Sequence, residues 1–169
     1  MKNTLLTALL GVLITCSTSV NAQQDNIVKF IPLGAMIQTS HFGGASAVGG
    51  GYSLSAGYER VLGANSSIQA NLGGVFGNGA FGLVKLQYRH YLLKNAPHGL
   101  HIGGYIPLGF ATNAVIVGIG PQVGYQMFFL DNQLAVGADL GLGFGYTVVG
   151  SSGAAGVNFG LDIGAGYAF

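Results

Sequence analysis

Apolar residues alternate with small or polar ones through the C-terminal part of the chain, and this period of two is its dominant signal. From Leu134 the even positions read Leu134, Val136, Ala138, Leu140, Leu142, Phe144 and Tyr146, with Ala135, Gly137, Asp139, Gly141, Gly143 and Gly145 between them. After Gly150-Ser151-Ser152-Gly153 the pattern resumes as Val157, Phe159, Leu161, Ile163, Ala165, Tyr167 and Phe169, against Asn158, Gly160, Asp162, Gly164, Gly166 and Ala168. A strand sends such sets to opposite faces automatically, whereas a helix mixes them. Residues 115–129 alternate equally well. Segments 98–111, 81–93, 67–76 and 51–62 follow more loosely, and a first strand over residues 27–37 has an ambiguous face. The pattern predicts about eight strands, each of the ~9–11 residues or more that a tilted membrane strand needs.

The breaks between these segments fall into two kinds. Short turns at residues 63–65, 94–97 and 130–132 follow the second, fourth and sixth strands. Segments 39–50, 77–79, 112–113 and 149–156 lie on the other side, rich in small residues and free of charge. An even strand count puts both termini on the short-turn side, which in an outer membrane is periplasmic. Pro107 and Pro121 sit inside the fifth and sixth strands, where each removes a ladder donor. A bulge or local bend is expected there.

Height sorts the outward aromatics. Tyr58, Tyr88, Tyr125, Phe129, Tyr167 and Phe169 fall near the short-turn ends of their strands. Tyr52, Phe76, Phe110, Phe144, Tyr146 and Phe159 fall near the opposite ends, with Leu, Val, Ile and Ala between. Two aromatic belts around an aliphatic band match the two interfaces of a bilayer. The expected fold is therefore all-β, an eight-stranded antiparallel up-and-down transmembrane β-barrel.

Composition sharpens this reading. Charged residues make up 7% of the chain, against about 25% in soluble domains. Half the residues are hydrophobic, and disorder needs the opposite balance. The first residues form their own unit. Lys2 is positive, residues 5–16 are largely apolar, and Val20-Asn21-Ala22 is a small-residue cleavage site. Residues 1–22 are expected to be a cleaved secretory signal and residues 23–169 an outer-membrane barrel of about 147 residues, enough for one domain. A lipoprotein signal with Cys16 lipidated is the alternative, disfavoured by Thr15 before it. Cleavage after Ala22 removes the only Cys and with it any disulfide or thiolate chemistry. The remaining charges balance, with Lys29, Arg60, Lys85, Arg89 and Lys94 against Asp25, Glu59, Asp131, Asp139 and Asp162. That leaves no basic surface for nucleic acid.

The signal, the alternating strands and the terminal Tyr167-Ala168-Phe169 resemble small outer-membrane β-barrel domain proteins of the OmpA, OmpX and OmpW architecture. Segments 56–60, 86–91 and 120–126 are similar to motifs in small barrel families of unknown function. The resemblance implies contact with outer-membrane lipids and periplasmic chaperones. It also implies recognition of the C-terminal strand by the barrel-assembly machinery, with Tyr167 and Phe169 as the assembly signal. It implies no reaction and no cofactor.

Inward positions then locate any function in the lumen. The last three strands face inward mostly with Gly, while the second to fourth bring Glu59, Gln69, Asn71, Lys85, Gln87, Arg89 and Tyr91. Long side chains of one wall can fill the space the glycines leave opposite, since an eight-stranded interior is only wide enough for side chains. Charges this scarce should pair, because an isolated buried ion is costly. A luminal cluster of Glu59, Lys85, Arg89, Asp139 and Asp162 is expected, similar to the ion-pair plugs of small OmpA-type barrels. Solvation of the same groups in a wet lumen is the competing reading.

Catalytic readings are weaker. A lipid deacylase barrel uses a Ser and a His together, yet His41, His90, His98 and His101 lack the H-x-S spacing of that group. No clustered His or carboxylate set suggests a metal. A non-enzymatic structural or envelope role leads, with a narrow pore for small solutes or apolar molecules as the alternative. An enzyme acting on lipid comes last.

Overall fold

The computed structural model describes residues 25–42, 45–77, 80–92 and 96–169. The expected signal over residues 1–22, Cys16 within it, and Lys94 lie outside the described residues. Eight strands follow one another as β1 (Asn26–Phe42), β2 (Ala45–Gly63), β3 (Ser66–Gly77), β4 (Ala80–Tyr91), β5 (Gly99–Ala111), β6 (Ala114–Phe129), β7 (Leu134–Val149) and β8 (Ser152–Ala168). Each pairs antiparallel with its sequence neighbours, and β1 pairs with β8 to close the barrel. Closure reaches the chain end. Asn26 N donates to Phe169 O (3.2 Å) and Phe169 N to Asn26 O (2.9 Å), so no ladder edge is left at the seam.

Alternation becomes inside and outside as the sequence predicts. Leu72, Ile119, Leu142 and Phe144 face out with more than half their surface exposed. Glu59, Gln69, Lys85, Arg89, Gln126 and Asn158 face in and are buried. Tyr88, Tyr125, Phe129, Tyr167 and Phe169 are exposed near the end that carries both termini, and Tyr52, Phe76, Phe110, Phe144 and Tyr146 near the other. An apolar outside around a polar inside reverses the arrangement of a soluble protein.

Three features differ from the sequence reading. The bulge lies in β1. Pairing with β2 steps from Ile31–Ser55 to Gly34–Ser53, so Pro32 and Leu33 together face the single residue Leu54. Both are exposed, and the inward set switches from Ile27, Lys29 and Ile31 to Gly34, Met36, Gln38 and Ser40. That slip is why the first strand has no consistent face by parity.

Of the bulge or local bend expected at Pro107 and Pro121, the register shows no bulge. The β5–β6 ladder steps from Tyr105–Gly120 to Leu108–Val117, and the β6–β7 ladder from Ile119–Phe144 to Gln122–Gly141, without a change of register. Each proline still pairs on its other side, Pro107 with Lys85 and Pro121 with Gly104. A missing N–H interrupts only the ladder toward which it would have pointed.

The segments read as outer loops are largely strand. Residues 39–42 pair with residues 45–48 in one hairpin, and Val149 pairs with Ser152 in another. Their Gly, Ala and Ser residues carry weak strand propensity, and cross-strand pairing overrides it. At the opposite end the β6–β7 turn passes through Leu130, Asp131 and Asn132 with φ of 51°, 55° and 68°. Gln133 N closes it by donating to Leu130 O (3.1 Å).

Candidate functional site

The lumen is filled in layers. At the end bearing the termini, Ile27, Ala135 and Ala168 pack with Phe128, and Val61, Tyr91 and Ala96 form a second apolar group. In the outer half Met36, Val75 and Leu83 pack with Phe81 and Ile116. Between these apolar layers lies the polar region that holds all five residues of the expected charge cluster, while Tyr167 and Phe169 lie on the outer face.

Arg89, on β4, crosses the lumen. Its Nη1 lies 2.9 Å from Glu59 Oε2 on β2, and its Nη2 lies 2.6 Å from Asp139 Oδ2 on β7. Arg89 is 1% exposed and Glu59 0%. Such a fork reaches two carboxylates at once because the guanidinium is planar and carries five donors. Lys29 Nζ lies 2.5 Å from the same Glu59 oxygen, and it also donates to Gln69 Oε1 (3.0 Å) and to Gln126 Oε1. Ser67 and Tyr91 hydroxyls donate to Glu59 Oε1 at 2.5 and 2.8 Å. Glu59 therefore has both oxygens occupied, as a buried carboxylate requires. His101 Nε2 lies 2.7 Å from Asp139 Oδ1. The void among Lys29, Arg89 and Asp139 measures about 10 Å³, no more than the smallest space that holds one water.

Lys85 and Asp162 form a second ion pair beside this group, Asp162 being the ladder partner of Asp139 and lining the same void. Lys85 Nζ lies 2.5 Å from Asp162 Oδ2, spanning β4 to β8, and 6.0 Å from the centre of the Tyr105 ring. The Tyr105 hydroxyl donates to Asn158 Oδ1. The five residues expected to cluster thus make two adjoining sets of ion pairs, and Lys29 and His101, which parity on β1 and the weak pattern of β5 did not single out, belong to the first. Tyr91 and Ser67 complete the first group.

The glycine wall takes up the reach of these side chains. A Cβ on Gly141 would lie 2.5 Å from Tyr105 Cε1, and one on Gly124 would collide with His101 and Asp139. Both glycines lie on β6 or β7, where the lumen wall meets the long side chains of β4 and β5. Core-like filling of this kind leaves the polar groups little freedom.

Chemically, the arrangement neutralises charge. Glu59 and Asp139 each face cationic or donor groups, and Ser67 and His101 are held by different carboxylates. Among the described residues, no three His, Cys, Asp or Glu side chains gather where they could hold a metal ion.

A closed antiparallel barrel, apolar outside and polar inside, belongs to the class of transmembrane β-barrels, because only closure satisfies every backbone group in lipid. No protein-family model and no curated protein matches the chain. Among solved structures it is similar to the outer membrane protein OprG of Pseudomonas aeruginosa, with a TM-score of 0.50 and 11% identity over 87% of this chain and 97% of that one. It is also similar to Ail, the attachment invasion locus protein of Yersinia pestis, with a TM-score of 0.47 and 11% identity over 87% of this chain and all of that one. At such identity the OprG match establishes a shared fold, that of small outer-membrane barrels.

Proposed function

We propose that this chain is an integral barrel of a bacterial outer membrane with a non-enzymatic, structural role in the envelope, its lumen closed by the polar and charged cluster. The observation that carries this reading is Arg89, buried and tied at once to β2 and β7 from β4. A side chain that bridges three walls at this depth braces the barrel and occupies the path a solute would take. The apolar layers above and below it work in the same direction.

Supporting the membrane placement are the exposed apolar wall and its two aromatic belts. In this reading both termini are periplasmic after removal of residues 1–22, and the wall is covered by outer-membrane lipids. Periplasmic chaperones carry the unfolded chain, and the last strand, ending in Tyr167 and Phe169, presents the signal to the assembly machinery. Tyr167 and Phe169 lie on the outer face with their rings stacked at 6.5 Å, accessible to a partner before insertion.

Purified protein in a planar lipid bilayer tests the closure. The expected record is a flat baseline across the voltage range. A stable stepwise current from the wild-type protein overturns the closed lumen and establishes the narrow pore instead. Cell fractionation tests the placement, with the protein expected in the outer-membrane fraction and its electrophoretic mobility changed by boiling.

A further inference from the structure

We propose that a groove across the outer wall of β2 to β6 holds one anionic phospholipid of the periplasmic leaflet, its phosphate against Arg60 and one acyl chain along the groove. This rests on the reading of the wall as lipid-covered and deepens it, because it assigns one lipid class to one place on that wall.

Cross-strand register builds the groove. Tyr58, Ala70, Leu86 and Ile106 are successive ladder partners on the outer face, and so are Arg60, Ile68, Tyr88 and Gly104. The row between them, Glu59, Gln69, Gln87 and Tyr105, turns into the lumen and is buried. Only backbone is left to floor the space between the outward rows. Rows two residues apart lie about 7 Å from each other, close to what one hydrocarbon chain needs to touch both sides. The groove measures about 870 Å³, toward the upper end of the roughly 300–1,000 Å³ typical of ligand pockets. Ala70 and Gly104 leave gaps in its sides, and a Cβ on Gly104 would meet nothing closer than Gly120 O at 3.6 Å.

Slope and charge together name the occupant. Arg60 lies three residues before the end of β2 at Gly63, toward the end that carries both termini. Ile119, which lines the groove from β6, lies ten residues from the end of its strand at Phe129. The groove therefore climbs from the interface into the hydrocarbon region. Arg60 is the one charged residue that lines it, and no carboxylate does. Among the described residues Lys29, Lys85 and Arg89 turn into the lumen, which leaves Arg60 as the sole Lys or Arg on the wall. Arg60 engages a neighbour within the protein, and its five donors let it hold a phosphate as well. A zwitterionic head brings its own cation beside the phosphate, whereas an anionic head leaves that charge to Arg60.

Full-length mature protein in lipid vesicles tests this through a single introduced tryptophan, since the chain has none. Ile119→Trp places the reporter in the groove, and Leu142→Trp places it on β7, away from the groove. Each protein is titrated in phosphatidylcholine with brominated phosphatidylglycerol or brominated phosphatidylcholine, and quenching gives the relative affinity of the two lipids at that reporter. Phosphatidylglycerol is expected to be favoured roughly three- to tenfold at Ile119→Trp, the effect of about one cation on an anionic lipid, and less than twofold at Leu142→Trp. Adding Arg60→Gln to the Ile119→Trp protein should bring the preference below twofold. Gly104→Leu, which leaves Arg60 in place and fills the groove, should do the same. A preference below twofold at Ile119→Trp, or one no greater than at Leu142→Trp, overturns the proposal. So does a preference that survives Arg60→Gln, and one that survives Gly104→Leu reduces Arg60 to a bare interfacial charge and overturns the groove. Brominated lipid that quenches neither reporter refutes the lipid-covered wall itself, so the two readings fail separately.

Discussion

Replacing Arg89 by Met removes the charge and keeps much of the reach. The side chain loses its contacts with Glu59 at 2.9 Å and Asp139 at 2.6 Å, together with those to Gln87 and Gln126. Removing one partner of a buried ion pair costs about 3–5 kcal/mol, because the other charge stays buried. Here Lys29 still reaches Glu59 and His101 still reaches Asp139. The expected loss therefore falls at the lower end, about 3 kcal/mol. Urea unfolding in phospholipid measures it, followed by far-ultraviolet circular dichroism because the chain has no Trp. A second variant, Asp139→Asn, and the double variant complete the cycle. Coupling of about 1–3 kcal/mol is expected, since the two groups touch. If Arg89→Met loses less than about 1 kcal/mol and the double variant is additive within about 0.5 kcal/mol, the groups are solvated and the bracing argument is wrong.

Depth can be read from the outward face. Leu72→Arg, in the middle of β3, should cost about 2–4 kcal/mol, and Leu62→Arg, close to the β2–β3 turn, about 0–1 kcal/mol. Equal costs in a lipid titration would refute the assignment of the wall to the bilayer. Gly141→Val drives two methyls against the Tyr105 ring and should destabilise by about 1–3 kcal/mol. Most of that should be recovered when Tyr105 is also replaced by Ala, and a double variant no better than the single would place the strain elsewhere. Phe169→Ala keeps the backbone pair with Asn26 and removes only the ring. It should lower the amount of folded barrel in the outer membrane without changing the stability of the barrel once purified, and an unchanged yield would remove Phe169 from the assembly signal.

Much of the barrel could be read from residue order because alternation on β6, β7 and β8 is nearly unbroken. The facing of Asp139 and Asp162 follows from that periodicity, and the facing of Glu59 and Arg89 from the looser alternation of β2 and β4. Lys29 escaped it for a local reason. The inserted residue at Pro32–Leu33 reverses the parity of β1, so Lys29 and Gln38 lie on the same face although one is odd and the other even. Two inward polar residues of opposite parity flanking a proline were the available sign of a bulge. Pro107 and Pro121 bring no such slip, because each loses one donor without shifting register. The partition of the charges into two adjoining sets depends on how far each side chain crosses the lumen, and periodicity along a strand carries no such distance.

The apolar layer of Met36, Val75 and Leu83 has a consequence for how loss of stability and loss of closure are related. It stands in series with the ionic layer, and a hydrophobic constriction resists ions by dewetting without help from any charge. Disabling Arg89 should therefore soften the barrel without making it leak. A leak should require a second lesion, such as Val75→Ser, in the same molecule. Two barriers of different chemistry are expected to fail under different insults, loss of a charged partner for one and detergent-like solutes for the other, so on the closed-lumen reading the barrel stays sealed when either is lost.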